Sequence, residues 1–321
     1  MKAIHFDHYG APEDMQLKDF PAPQPGPGEV LIKVRASAVN AADWHVLRAD
    51  PFLVRLAFGL RKPRLPILGA DVAGEVLAVG AGVTRFRAGD AVFGCLSGGN
   101  WGAFAEQVCA PEGALALKPA HCTFQQAAAA PLAGMTALQA LGRFGKLQAG
   151  QKVLVNGASG GVGTFAVQIA KALGAEVTAV CSARNVELAR SIGADHVIDY
   201  TQVDFTREAG RYDFILGANG YHPIAAYRRT LTPTGRYVMA GGAGKQMTEA
   251  MFLGPWLSLG GRKLGNVMMK PSLADLETLA GLLESGQVVP VIDRAYPLAQ
   301  VPEAIAYLEQ GHATGKVVIT M

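Results

Sequence analysis

The fold of this chain is decided by the stretch Lys152-Val-Leu-Val-Asn-Gly-Ala-Ser-Gly-Gly-Val-Gly163. It opens with a short apolar run typical of a buried strand, and a glycine-rich turn follows. Residues 164–173 continue as an apolar run of helical length, and residues 176–181 form a second strand pattern. A strand, a helix and a second strand in this order indicate an α/β fold with a parallel sheet.

The same alternation continues to about residue 270. Further strand patterns lie at residues 196–198, 212–216, 236–240 and 263–268, with helical patterns at 186–192 and 224–231. With the first two strands they make six, which is the number that fills a doubly wound sheet.

The two ends of the chain are β-rich instead. Strand patterns bounded by Gly and Pro occur at residues 31–39, 73–79 and 91–93. Beyond Pro271 a helix is predicted at 274–284, a strand at 293–296, a short helix at 302–310 and a final strand at 316–320. These patterns predict a second domain.

Composition excludes several classes of protein. The chain has 321 residues, of which half are hydrophobic, 17% are charged and 39 are glycine, so it is long enough for two domains and too apolar to be disordered. Its net charge is +3 with no basic run, so nucleic acid is not expected as a partner. No apolar segment reaches the ~20 residues of a membrane span, so no membrane partner is expected.

The N-terminus and the cysteines indicate the setting of the protein. The opening residues lack the apolar core of a signal peptide, so a cytoplasmic setting is expected. The four cysteines have wide, irregular spacings, and we expect buried thiols rather than disulfides or a zinc knuckle.

The glycine-rich turn is typical of dinucleotide-binding proteins. Glycine lets backbone amides approach a pyrophosphate at the positive end of the following helix. The pattern is imperfect, because Ala158 stands where the first glycine is usual, and a simple strand-to-helix turn is the alternative. The predicted cofactor-binding residues here are Ser159, Gly160, Gly161, Val162 and Gly163.

The residues after the second strand favour NADPH over NADH. An Asp or Glu there binds the ribose 2′-hydroxyl of NAD, but this chain reads Ser182-Ala-Arg184-Asn185. Arg184 offers a planar fork for a 2′-phosphate, and Ser182 adds a donor. The alternative is that Arg184 is only a solvated surface residue.

Several further motifs occur in a fixed order around this turn. They are PAPQPGPGEVLIKV at 21–34, LPILGADVAGEV at 65–76, VGAGVTRFRAGDAVFG at 79–94, WGAFAE at 101–106 and ASGGVG at 158–163. Nearly end to end, the series resembles the medium-chain dehydrogenase/reductase superfamily, specifically its zinc-free quinone oxidoreductase branch that includes zeta-crystallin. The resemblance implies a GroES-like catalytic domain at 1–123 and 271–321, a Rossmann nucleotide domain at 124–270, and an active site in the cleft between them.

The resemblance also bears on metal. Zinc-dependent members hold a catalytic zinc at positions that match Asn40, Ala70 and Leu132 here. None of these is a strong zinc ligand, so no metal is expected. An alternative site made of Asp43, His45 and Asp71 is less favoured than a hydrogen-bonded network of these side chains.

Residues 40–45 lie where this family places substrate-facing residues. Asn40 is expected to polarise a carbonyl or position the cofactor, Asp43 to orient a neighbour, and His45 to supply a proton, unless it is only a cleft-wall histidine. Further cofactor contacts implied by the resemblance are Met135, Thr136, Tyr200 by the 2′-phosphate, His312 and Thr314. For His312 and Thr314 a surface turn before the last strand is the alternative. Gly241 and Gly242 end the fifth strand, where their open backbone is expected to approach the nicotinamide ribose. Met135 has the alternative role of core filler.

Three functions remain open. The favoured one is an NADPH-dependent reductase of quinones, enones or other activated carbonyl compounds. The others are an NADPH-binding protein with little turnover, acting as a sensor or a crystallin-like protein, and a zinc alcohol dehydrogenase.

A homodimer is expected through the last strand at 263–268. Residues 48–64 are apolar for a connection and are interpreted as a substrate lid, a hydrophobic pocket, or a helix packed on the core.

Overall fold

The computed structural model describes residues 1–241, 244–258 and 260–321. The strands are β1 Lys2–His5, β2 Gln16–Asp19, β3 Glu29–Val39, β4 Asp71–Val79, β5 Ala91–Cys95, β6 Gln107–Pro111, β7 Leu115–Leu117, β8 Lys152–Asn156, β9 Glu176–Cys181, β10 His196–Asp199, β11 Tyr212–Gly217, β12 Leu231–Met239, β13 Lys263–Asn266, β14 Ile292–Pro297 and β15 Lys316–Thr320. The helices are α1 Ala41–Arg48, α2 Val54–Phe58, α3 Phe124–Ala129, α4 Pro131–Leu138, α5 Gly161–Ala172, α6 Val186–Ser191, α7 Ile224–Thr230, α8 Gly244–Phe252, α9 Gly254–Leu257, α10 Leu273–Glu284 and α11 Val301–Glu309.

The chain divides into two compact units. The first contains residues 1–135, 270–286 and 290–321, and the second contains residues 136–269 and 287–289. The predicted fold class, a GroES-like β-rich part and a doubly wound parallel sheet, is confirmed by the sheets of the two units.

The first boundary differs from the predicted one. Residues 124–135 were expected in the nucleotide domain, but α3 packs on β3, β4 and β15 of the first unit. Residues 287–289 belong instead to the second unit, because the Gln168 side chain hydrogen-bonds both the amide and the carbonyl of Val289, at 2.8 and 3.1 Å. Tertiary packing, rather than the change in sequence texture, decides these borders.

The second unit holds the six-stranded sheet. Its strand order is β10-β9-β8-β11-β12-β13, and every neighbouring pair is parallel. The order reverses at β8, and in such sheets ligands bind at the carboxyl ends of the strands at this point. The core includes Leu154, Ile215, Tyr237 and Leu264. The glycine-rich turn therefore lies at the position where a doubly wound sheet binds its ligand.

The first unit holds a seven-stranded sheet and the small pair β1-β2. Its path is β14-β15-β3-β4-β5-β7, with β6 pairing β3 off this path. β3 runs antiparallel to both β15 and β4, with Val39 opposite Val317 and Ala38 opposite Asp71. This register brings the end of β3 next to the first residues of β4 and β15.

Two further expectations concern thiols and membranes. All four cysteines are free thiols, of which Cys95, Cys122 and Cys181 are buried and Cys109 is half-buried. Across the described ranges, the helices are all too short or too polar to cross a bilayer.

Candidate functional site

Two glycines shape the turn between β8 and α5. Gly157 has a φ of +81°, and a side chain there would collide with Asn219, whose Cβ would lie 2.7 Å from the added carbon. A Cβ on Gly163 would lie 2.1 Å from the carbonyl oxygen of Gly157. These two glycines are therefore required by the packing of the turn against its neighbours.

Gly160 has a different environment. Its backbone is extended, with φ −83° and ψ 177°, and an added Cβ would meet nothing closer than the Gly157 carbonyl oxygen at 3.6 Å. It caps α5, whose first-turn amides at Gly161, Val162 and Gly163 have no acceptor within the helix. The turn thus leaves open space beside backbone donors, which fits the pyrophosphate of a dinucleotide.

The ends of β9 and β10 place the predicted 2′-phosphate residues near one another. Arg184 is exposed, Ser182 is half-buried, and both follow directly after β9. The amide of Tyr200 donates to the carbonyl of Cys181 at 3.1 Å, which holds this exposed tyrosine beside the same strand end. Asp199 also lies there, and its carboxylate accepts from the amide and hydroxyl of Thr201 at 3.0 and 2.8 Å.

Asn185 is a residue that sequence reasoning missed. It is buried, and its Nδ2 donates to Ser159 Oγ at 2.9 Å and lies 3.5 Å from Ser182 Oγ. It therefore links the glycine-rich turn to the end of β9. The pairing of Ser159 with a residue 26 positions later had no signal in the sequence.

The remaining predicted cofactor residues are scattered through the chain. Met135 and Thr136 lie on α4 and are buried, with 1% and 6% of their surface exposed. Gly241 follows β12, and a Cβ there would lie 2.7 Å from the carbonyl oxygen of Ala218. Gly242 lies outside the described residues. In the first unit, just before β15, His312 is exposed and Thr314 is half-buried, with the Thr314 amide donating to Asp293 at 3.0 Å.

Three chain segments of the first unit meet in a buried polar cluster. Asn40 follows β3 and precedes α1, Asp71 begins β4, and Lys316 begins β15. Asn40 is 5% exposed, Lys316 3% and Asp71 0%. The antiparallel register of the three strands is what brings these residues together.

The Asn40 side chain is fully engaged within the cluster. Its Nδ2 donates to the Ala38 carbonyl at 3.2 Å and to Asp71 Oδ2 at 2.9 Å. Its Oδ1 accepts from Lys316 Nζ. Both amide hydrogens are therefore used inside the protein in this arrangement, which suits a positioning role for Asn40.

Asp71 and Lys316 form a buried ion pair. Lys316 Nζ lies 3.4 Å from Asp71 Oδ2, and Asp71 Oδ1 accepts from the Leu132 amide at 2.8 Å. Burial raises the pKa of Asp71, and the charge of Lys316 opposes this rise. Lys316 is a second residue of the site that sequence reasoning did not select.

Asp43 neighbours this pair on the first turn of α1. Its carboxylate accepts from the Asn40 amide at 2.7 Å and from the Gly69 amide at 3.1 Å. Complete burial raises the pKa of Asp43 to about 7, and the two backbone hydrogen bonds oppose the rise. Asp43 therefore connects the start of α1 to the loop before β4.

His45 lies near Asp43 in sequence but makes different contacts. Its ring stacks on Trp44 with the centroids 3.6 Å apart, and Nδ1 lies 2.5 Å from the carbonyl oxygen of Asp50. A carbonyl only accepts, so Nδ1 carries the hydrogen and Nε2 is the basic nitrogen of the neutral ring. The ring is half-buried, and the proton-donor role expected of His45 would fall to Nε2.

The residues at the zinc-ligand positions do not fit a zinc ion. The side chains of Ala70 and Leu132 have no atom that can ligate a metal, and the Asn40 oxygen accepts a hydrogen bond from the ammonium group of Lys316. A fixed buried cation repels a second cation. Within the parts of the chain that the structure describes, no group of three or more His, Cys, Asp or Glu side chains is arranged to hold a metal.

Two family models match the chain. Residues 26–120 match the alcohol dehydrogenase GroES-like domain, and residues 192–319 match a model described as zinc-binding dehydrogenase. A chloroplast envelope quinone oxidoreductase homologue of Arabidopsis thaliana is 35% identical, with 99% of this chain and 98% of that protein covered. The mitochondrial NAD(P)H oxidoreductase RTN4IP1 of Bos taurus is 33% identical over 92% of this chain and 82% of its own length.

A solved structure agrees with these relatives. The quinone oxidoreductase from Coxiella burnetii is 30% identical and superposes with a TM-score of 0.89, with 100% of this chain and 99% of that chain covered. The chain therefore belongs to the medium-chain dehydrogenase/reductase superfamily, among its quinone oxidoreductase homologues, and is an oxidoreductase that binds a nicotinamide cofactor and acts on a small molecule.

Proposed function

We propose that this protein is an NADPH-dependent reductase that transfers hydride to a quinone, an enone or another activated carbonyl compound without a metal ion. The observation that carries the proposal is that Asn40, at one of the positions where zinc-dependent relatives bind their metal, is held in a buried network by Asp71 and Lys316. Without a Lewis acid, an alcohol hydroxyl is not readily converted to an alkoxide. An acceptor with its own electron sink needs no such help.

The second unit supplies the cofactor site. The bound reduced nicotinamide supplies the hydride. We assign the pyrophosphate to the amides at the start of α5 and the space beside Gly160. We assign the 2′-phosphate to Ser182, Arg184 and Tyr200, with Asn185 orienting the two serine hydroxyls. The RTN4IP1 relative carries NAD(P)H in its name, which supports this class of cofactor.

The first unit supplies the substrate-facing residues. Reduction of a quinone to a hydroquinone adds one hydride and one proton, and we assign the proton to Nε2 of protonated His45. Asn40 and Asp43 act as positioning residues that hold the start of α1. We also assign cofactor contacts to Met135, Thr136, Gly241, Gly242, His312 and Thr314.

Turnover assays separate the three candidate functions. Purified protein is mixed with NADPH and a panel of quinones and α,β-unsaturated ketones, and absorbance of the reduced nicotinamide is followed. We expect this absorbance to fall with at least one acceptor class. We expect the rate of the fall to be the same after the protein has been treated with a chelator. Nucleotide binding without consumption would favour the binding protein, and stoichiometric zinc with alcohol-dependent reduction of NADP would favour the alcohol dehydrogenase.

Two variants test the assignments of residues. We expect Arg184→Ala to weaken NADPH binding by about tenfold or more, equivalent to ~1.4 kcal/mol, and to leave NADH binding nearly unchanged. Equal losses of affinity for both nucleotides, measured by calorimetry, would remove the basis for assigning NADPH as the cofactor.

His45→Ala is expected to slow quinone turnover, because it removes the proposed proton donor. A variant that keeps its turnover would eliminate His45 as the proton donor.

A further inference from the structure

Residues 51–64 of the first unit, which we call the apolar-basic segment, expose several large apolar side chains. Phe52 is 69% exposed, Leu53 68%, Leu56 62% and Leu60 62%. Four such side chains within nine residues form a local apolar surface, which usually marks an interaction site. These four side chains do not pack on the core, so the interpretation of this segment as a helix packed on the core applies only to its remaining side chains.

That other face is firmly attached. The Phe58 ring meets Trp101 edge-on, with centroids 5.7 Å apart, and Val54 packs on the same core cluster. The hydroxyl of Tyr9 donates to the Gly59 carbonyl at 2.7 Å, and the Arg64 amide donates to the Phe58 carbonyl at 2.7 Å. The exposed apolar side chains are therefore presented by an anchored segment.

The segment also concentrates positive charge. It contains Arg55, Arg61, Lys62 and Arg64 and no Asp or Glu, whereas the whole chain has 29 Lys and Arg against 26 Asp and Glu. Outside the segment, 25 basic residues face 26 acidic ones, so this one segment accounts for the net positive charge of the protein. Arg61, Lys62 and Arg64 are exposed, and Arg55 lies 4.6 Å above the Tyr9 ring.

We propose that the apolar-basic segment docks on the surface of an anionic lipid bilayer. Phe52, Leu53 and Leu56 enter the boundary between headgroups and acyl chains, and the nearby cations contact the lipid phosphates. A bilayer needs only a few inserted apolar side chains with cations beside them.

This surface contact is compatible with the absence of spanning helices among the described residues. The expectation of no membrane partner rested on the lack of a spanning segment, and interfacial docking requires none. The inference rests on exposure and charge and is independent of the proposed reaction. If that reaction holds, docking places the enzyme where lipophilic quinones dissolve.

Vesicle flotation tests the proposal with the full-length protein. We expect the protein to float with vesicles of phosphatidylcholine mixed with phosphatidylglycerol, to bind phosphatidylcholine alone weakly, and to dissociate as salt screens the charges. Phe52→Ser combined with Leu56→Ser is expected to lower the partition coefficient by about tenfold or more, because each exposed side chain contributes apolar area. Arg61→Glu combined with Lys62→Glu is expected to do the same on anionic vesicles.

Matched variants elsewhere on the first unit are the controls. Leu117 and Leu77 are 58% and 42% exposed, and the Arg87 side chain is 90% exposed. Leu117→Ser with Leu77→Ser, and Arg87→Glu, are expected to bind vesicles as the unmodified protein does. A Phe52→Trp variant should show a blue-shifted emission on vesicles, whereas Leu117→Trp should not.

Three results would overturn the proposal. The first is no binding to anionic vesicles by a folded protein that retains its far-UV circular dichroism. The second is equal binding by the Phe52/Leu56 variant and by its Leu117/Leu77 control. The third is a protein that does not bind vesicles but self-associates in sedimentation, when the Phe52/Leu56 variant does not self-associate. That result would assign the exposed apolar side chains to contact with a second copy of the chain.

Discussion

Two carboxylates and one ammonium group share a buried polar cluster beside Asn40. Asp71 has Lys316 at 3.4 Å, whereas Asp43 has only hydrogen bonds from backbone amides. Removing an ionised carboxylate from water is costly unless it is paired, and a raised pKa is the expected response. Burial raises the pKa of Asp43 to about 7, so its protonation responds to pH near neutrality.

Stability should depend on pH through Asp43. Burial raises its pKa from 3.8 to about 7, so the folded protein binds this proton more tightly than the unfolded chain does. The resulting stabilisation is complete below about pH 4 and is lost as the pH rises through 7, with a size of roughly 4 kcal/mol. Between pH 5 and pH 8 roughly 3 kcal/mol of it is lost, and urea unfolding at these two pH values measures that difference.

Asp43→Asn provides the comparison. The amide oxygen still accepts a backbone hydrogen bond, but the side chain no longer titrates. We expect the free energy of unfolding of this variant to change less between pH 5 and pH 8 than that of the unmodified protein. Identical pH profiles for the two proteins would show that Asp43 is not the titrating group.

Lys316 should be needed for the stability of the cluster. Lys316→Met leaves the buried Asp71 carboxylate and the Asn40 oxygen without their shared partner, so we expect a loss of about 3–5 kcal/mol in the free energy of unfolding. Adding Asp71→Asn removes the unpaired charge and should recover a large part of the lost free energy of unfolding. A double variant no more stable than the single one, in urea titrations, contradicts this account.

At the scale of elements, the start of α5 separates glycines required by packing from one, Gly160, that has open space beside it. Gly163 is needed because a Cβ there would lie 2.1 Å from the carbonyl oxygen of Gly157. Gly160 has a backbone conformation open to any residue, and the protein itself leaves room for a Cβ there. The two positions therefore respond differently to the same substitution.

Gly163→Ala and Gly160→Ala form a matched pair. The first should cost about 1–3 kcal/mol of stability, because its Cβ overlaps backbone. The second should leave stability within about 1 kcal/mol of the unmodified protein. It should still weaken nucleotide binding by about tenfold, since the new methyl group occupies the space assigned to the pyrophosphate. Thermal unfolding and calorimetry measure the two effects, and unchanged affinity of Gly160→Ala would refute the assignment.

Strands with an uninterrupted apolar pattern were predictable, and a strand interrupted by polar residues and proline was predicted only in part. The predicted strands at 152–156, 176–181 and 316–320 coincide with β8, β9 and β15. The fifth strand of the parallel sheet was expected from residue 236, but β12 begins at Leu231. Its first residue, Leu231, pairs with Tyr212 ahead of a register shift. Pro233 lies in this stretch, and because proline is rare inside strands, the sequence pattern did not predict a strand there.

At the scale of the whole molecule, the expected homodimer remains a prediction. β13 is the last strand of the parallel sheet, but Ser258 Oγ already accepts from the Leu264 amide at 2.9 Å and lies 3.3 Å from the Leu264 carbonyl. α9 thus covers part of this edge. Apolar side chains nearby in sequence are exposed, with Trp256 at 76%, Met268 at 74% and Phe252 at 65%.

We expect a dimer at micromolar concentration in sedimentation velocity. Trp256→Ser should weaken association by about 30-fold, equivalent to the ~2 kcal/mol of an interface hot spot, because it removes the most exposed aromatic ring described. Leu117→Ser, on the first unit, is the control and should leave the dimer intact. A monomer at these concentrations contradicts the prediction.

The sequence by itself determined the fold class, the superfamily and the position of the glycine-rich turn. These depend on local patterns, because glycine, apolar periodicity and strand length act on neighbouring residues. Only the tertiary structure decided that Asn40, Asp71 and Lys316 share one buried cluster, and that Asn185 reaches Ser159. Lys316 lies 276 residues from Asn40 along the chain, and the strand register that joins them is set by packing of the whole sheet.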